Sequence, residues 1–153
     1  MKMITALAAL VIILASCEVK VETSTSAVPV QGTWKLLTGT LIEKGDTTVT
    51  DYTKDKSFIK IINSDHFAFF LHDLTHGKDS ATRIYSSGAG SYTLKDSSYT
   101  EHLEYCDDRQ WEGHDFPFTI SVQNDTLTIR GIEKIDSIGV NRLNIEKYVR
   151  LKN

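Results

Sequence analysis

From Gln31 onward, apolar and polar side chains alternate with a period of two, and the apolar positions are rich in β-branched and aromatic residues. No long helical stripe interrupts them, and Pro117 is the single proline after Pro29. The pattern predicts strands at 33–43, 47–53, 56–62, 66–73, 82–86, 89–95, 98–106, 116–123, 126–133 and 142–152. Lys44-Gly45-Asp46, Asn63-Ser64-Asp65, Lys95-Asp96-Ser97 and Gln123-Asn124-Asp125 separate them with Gly, Asn and Asp, residues that adopt positive φ at low cost. Short strands with tight turns read as an antiparallel meander, closed as a barrel or folded as a sandwich. Two longer polar segments, 74–80 and 107–115, carry His or Trp and are candidate rim elements at one end.

The alternation also assigns faces. In 98–106, Tyr99, Glu101, Leu103 and Tyr105 share one face, the more aromatic, which is expected to point inward. That puts Glu101 among buried tyrosines, where a lone carboxylate is costly unless it is paired or protonated. A tyrosine hydroxyl, Lys60, Arg83 or a bound ligand would be its partner. A structural ion pair is one outcome and a polar anchor in an apolar cavity is another. The opposite facing would leave Glu101 on the surface. Lys60 faces inward only if Ile59 and Ile61 face outward. In 66–73 both faces are partly apolar, with Phe67, Phe69 and Leu71 on one and His66, Ala68, Phe70 and His72 on the other. Gly88 and Gly90, on the face of Tyr92 and Leu94, mark a corner or a close backbone approach.

The N-terminus changes the picture of where the domain works. Lys2 and the apolar run ITALAALVIIL (4–14) form an export leader, too short for a spanning helix of roughly 20 residues. Leu14-Ala15-Ser16-Cys17 resembles the lipobox of bacterial lipoproteins, in which the cysteine thiol is alkylated by diacylglycerol and the leader is removed. At roughly 0.8 kcal/mol per buried CH₂, two or three acyl chains anchor a protein durably. Glu18 in place of Asp favours the outer membrane by resemblance to bacterial sorting rules. The expected organisation is a signal peptide at 1–16, a flexible tether at 17–30 and one domain at 31–153.

Charge and chemistry narrow the classes further. With 17 basic and 20 acidic residues, the 153-residue chain is mildly acidic, which argues against a nucleic-acid partner. Once Cys17 is lipidated, Cys106 has no partner and is expected to be buried. His72 and His76 would lie about 13 Å apart on an extended strand, as would His102 and Cys106. The first spacing argues against a metal chelate and the second against a Cys-His nucleophile. No Ser-His-Asp arrangement, phosphate loop or paired carboxylate stands out, so no catalytic residue and no cofactor are expected.

Gly32-Thr33-Trp34 resembles the Gly-x-Trp signature of lipocalins. In that superfamily the tryptophan packs under an arginine from the end of the last strand, a role Arg150 would fill. Lys60-Ile61-Ile62, His66-Phe67, Gly88-Ala89-Gly90-Ser91-Tyr92, Tyr99-Thr100-Glu101-His102 and the closing Glu146…Arg150 are similar to small exported lipocalin-like proteins of Bacteroidota without an assigned function. Tyr148 stands where that pattern more typically has tryptophan. Thr50-Asp51-Tyr52 mimics a second lipocalin motif too early in the chain. The resemblance implies an all-β, antiparallel up-and-down barrel of about eight to ten strands with an interior cavity. Joined to the face assignment, it gives a lipid-anchored protein binding a small hydrophobic or amphipathic molecule. Phe67, Phe69, Tyr92, Tyr99, Leu103 and Tyr105 would be the wall, with Glu101 and Lys60 as anchors. The alternative is an envelope barrel plugged by its own side chains. An enzyme built on the same barrel would need a cavity carboxylate with a raised pKa.

Overall fold

The computed structural model describes residues 28–152. Nine strands form one continuous sheet: β1 (Gly32–Glu43), β2 (Asp46–Asp51), β3 (Lys56–Ile62), β4 (His66–Asp73), β5 (Tyr85–Lys95), β6 (Ser98–Cys106), β7 (His114–Gln123), β8 (Thr126–Ile135) and β9 (Val140–Arg150). Every pairing is antiparallel between neighbours. β1 also pairs with β9, from Trp34↔Arg150 to Ile42↔Leu143, which closes the sheet. The result is a lipocalin-like barrel of eight strands with one extra strand. Closure removes the exposed edges that an open sheet of this size would present.

β2 is the extra strand. It pairs with β1 from Thr38 to Glu43, and β3 takes the same edge of β1 from Gly32 to Lys35. The two are one descending course, interrupted where the Tyr52 amide donates to the Leu37 carbonyl at 2.9 Å. A bulge in β1 between Leu36 and Thr38 faces the interruption.

Antiparallel order sorts the connections. The 44–45, 74–84, 107–113 and 136–139 connections lie at one end, the mouth. The tight 63–65, 96–97 and 124–125 turns lie at the base, where β1 begins and β9 ends. Positive φ at Lys44, Gly45, Asp96, Asn124 and Asp125 sits where the turn residues were expected.

The base is closed by packing. Trp34 is fully buried and its indole donates to the Val30 carbonyl at 2.7 Å. The Arg150 guanidinium lies 4.0 Å above that ring and donates to the carbonyls of Gln31 (2.6 Å) and Pro29 (2.8 Å). Such a stack contributes about 0.5–2 kcal/mol beyond area burial. Above it, Leu36, Ile62, Phe67, Tyr99, Ile120, Leu127, Ile129 and Tyr148 fill the lower barrel.

Several boundaries differ from the expectation. Residues 82–86 and 89–95 are not two strands: β5 runs unbroken from Tyr85, and 82–84 belong to the preceding connection. Val28 packs on the core and Val30 is buried, so these residues at the end of the expected 17–30 tether contribute to the base. Cys17 lies outside the described residues.

Candidate functional site

Above the filled base lies a cavity of about 290 Å³. Its chemistry follows from which residues the alternation turns inward. β3 supplies Phe58 and Lys60, β4 Phe69, β6 Glu101 and Leu103, and β7 Phe116 and Phe118. β8 adds Glu133, and β9 adds Arg142, Asn144 and Glu146. Trp111, in the short 3₁₀ turn Arg109–Trp111, covers one side of the mouth. Asp108 caps that turn by accepting from the Gln110 amide at 3.3 Å, and Glu112 ties it down by accepting from the Cys106 amide at 2.9 Å.

Lys60 and Glu101 form an ion pair across the interior from β3 to β6, both buried. It is the floor of the cavity: the next inward residues below, Ile62 and Tyr99, are core. The Lys60 ammonium also sits 5.1 Å from the Phe67 ring centre. Of the partners expected for Glu101, Lys60 is the charge it meets, and Arg83 is exposed in the 74–84 connection. The second ion pair is set by register. Glu133 lies opposite Arg142, whose Nε donates to Oε2 at 2.6 Å, while Asn144 donates to Oε1 at 2.8 Å. Arg142 also lies 5.0 Å from the Trp111 ring, which in turn packs on Phe116. Glu146 accepts from the Tyr148 hydroxyl at 2.7 Å and has no cationic partner among the described residues.

Burial pushes the Glu101 carboxyl above its usual range, and the Lys60 charge offsets this only in part. Burial alone would lower Lys60, but the charges of Glu101, Glu146 and Glu133 outweigh it and raise the ammonium. Glu133 is raised by burial despite Arg142. Tyr52, Tyr99 and Tyr148 are raised, first by burial and then by nearby carboxylates, Glu146 among them in each case. Burial is the leading cause for each of these acids, and for Lys60 the neighbouring carboxylates outweigh it.

Of the expected wall, Phe69 and Leu103 line the cavity, and so do both anchors, Lys60 and Glu101. Phe67, Tyr92 and Tyr99 face inward but belong to the filled lower half. Tyr105 is a correction: it is two-thirds exposed, at 66%, on the outer wall. The cause is a bulge in β6. Gly90 pairs with Leu103 while Ala89 pairs with Tyr105, so Glu104 is an extra residue and the facing inverts beyond it. Cys106 then points inward and lines the cavity, and burial raises its thiol. His102, expected on the face of Cys106, lies before the inversion and pairs outside with Asp115 at 2.8 Å. Gly90 makes the bulge possible, since a Cβ there would overlap the His102 carbonyl oxygen. Gly88 leaves room for the Phe69 ring, 2.5 Å from where a Cβ would stand.

Glu133, Arg142, Asn144 and Glu146 were missed by the sequence reading. Leu143, Ile145 and Val149 suggest the opposite facing for β9, because the apolar residues lie on its outer side. The signal that reveals them is Arg150: once it stacks on Trp34, parity turns 148, 146, 144 and 142 inward as well. Among the described residues no group of three or more His, Cys, Asp or Glu side chains converges as a metal site, and no helix is long and apolar enough to cross a membrane. Neither a known protein-family model nor any curated protein matches the chain in sequence.

Proposed function

We propose that this barrel binds a small amphipathic molecule in its upper half, and that it does so at the cell envelope, held by a lipid on Cys17. One observation carries the reading: a mouth-side cavity of about 290 Å³ with an aromatic wall facing a polar one. Phe58 and Phe69 stack with ring centres 5.6 Å apart, and Phe116 and Trp111 extend the apolar side. The Glu133–Arg142 pair, Asn144 and Glu146 line the chamber from β8 and β9, above the Lys60–Glu101 floor. An apolar chamber with a few convergent polar groups is the usual construction of a small-molecule site. The plugged-barrel alternative describes only the lower half, where the core residues leave no such space. The lipocalin signature at Gly32-Thr33-Trp34 and Arg150 supports kinship with the lipocalin-like exported proteins of Bacteroidota.

Titration with a small neutral aromatic probe, N-phenyl-1-naphthylamine, tests the binding. Saturable one-to-one fluorescence enhancement is expected, together with slower alkylation of Cys106 when the probe is present. Leu103→Trp, which fills the chamber, should abolish both. A linear, non-saturating signal with unchanged Cys106 reactivity would end the reading. Detergent-phase partition of the exported protein, lost in Cys17→Ser, tests the anchor separately.

A further inference from the structure

We infer that the ligand's polar end is a cation, an organic ammonium carried on a small apolar body. This rests on the binding reading above and adds the sign of the charge that the cavity takes.

The argument begins with the charged groups turned toward the cavity. β3 contributes Lys60, β6 Glu101, β8 Glu133, and β9 Arg142 and Glu146. Both cations are already committed. Lys60 is paired with Glu101, and Arg142 with Glu133, whose other oxygen is held by Asn144. The carboxylate left over is Glu146. Its described hydrogen bond is the one from Tyr148, and a carboxylate has roughly four acceptor positions, so it retains capacity toward the chamber. At the mouth the further charged residue is Asp108, again an acid. With all five interior groups ionised, the chamber holds one more negative than positive charge, in surroundings where charges are poorly screened.

An acidic ligand head would meet three interior carboxylates and could reach a free cation only by displacing one of them. A neutral head could donate to Glu146 but would leave the excess charge in place. An ammonium removes it. The walls favour the same choice, because aromatic faces attract cations, and Phe58 lies between Phe69 and Tyr148, with centres at 5.6 and 6.2 Å.

The test is calorimetric titration of the full chain with three probes sharing one body: 3-phenylpropylamine, 3-phenylpropanol and 3-phenylpropanoate. The amine should bind at least about tenfold more tightly than the alcohol, and the carboxylate most weakly. Glu146→Gln preserves shape and the acceptor for Tyr148. It should bring the amine to near parity with the alcohol. A carboxylate that matches the amine, or a preference for the amine that survives Glu146→Gln, overturns the inference while leaving the binding reading intact. Failure of all three probes, with N-phenyl-1-naphthylamine also silent, overturns both.

Discussion

The two halves of the barrel use the same alternation for opposite ends. Below the Lys60–Glu101 pair, inward positions are large and apolar, and the tryptophan base is sealed by Arg150. Above it, inward positions include four further polar residues, and the space between them stays open. β9 shows the contrast within one strand: Tyr148 is fully buried in the plug, while Glu146, Asn144 and Arg142 step upward into the chamber. Stability is concentrated in the lower half, where apolar area is removed from water and few polar groups need partners. The upper half carries buried charge, which is a weak source of stability and a strong source of selectivity.

Substitutions can separate the halves. The largest loss is expected from Trp34→Ala, which empties the base and removes the Arg150 stack, at about 3–5 kcal/mol by denaturant unfolding. Next is Lys60→Met, which leaves Glu101 buried without its counter-charge, a change that costs about 3–5 kcal/mol in dry sites. Protonation of Glu101, already raised, should limit the loss to the lower part of that range. Adding Glu101→Leu should recover most of it, and a double variant as unstable as Lys60→Met would show that the pair is itself stabilising. Gly90→Ala should cost about 1–3 kcal/mol by forcing the β6 bulge apart, and it should change Cys106 reactivity, because the bulge sets which way Cys106 points.

The smallest effect concerns the mouth. Asp73 accepts from the Thr75 hydroxyl at 2.5 Å, the Gly77 amide at 2.9 Å and the Ile84 amide at 3.4 Å, so it braces both ends of the 74–84 connection. Those bonds, the Thr75 hydroxyl first, hold its carboxyl far below the ordinary aspartate value of 3.8. A depressed carboxylate adds stability above that value and loses it as pH falls below. Protection of the 74–84 amides, measured against intrinsic exchange rates that themselves slow in acid, should therefore fall at low pH with global unfolding little affected. Asp73→Asn should show the faster exchange at neutral pH, and equal protection in both proteins would sink the bracing role.

The fold was legible because period-two alternation and turn residues are local signals, and Lys44-Gly45 or Asn124-Asp125 specify a hairpin without reference to the rest of the chain. The facing of Glu101 was legible for the same reason, whereas that of Lys60 stayed open, because Ile59 and Ile61 on the opposite face compete for the interior. Tyr105 was not, because one inserted residue reverses every later facing, and the bulge depends on a glycine in the neighbouring strand. The polar stripe of β9 was hidden differently. Its inward residues are the less hydrophobic set, so ordinary burial logic points the wrong way. Only contact between the two ends of the barrel fixes its parity.

The Arg150 clasp on Pro29 and Gln31 also fixes where mechanical load enters the molecule. The polypeptide joins the barrel at its sealed floor, so an upstream membrane attachment would draw on that floor. The opening lies at the opposite end, so a pull on the upstream chain reaches the plug before it reaches the chamber.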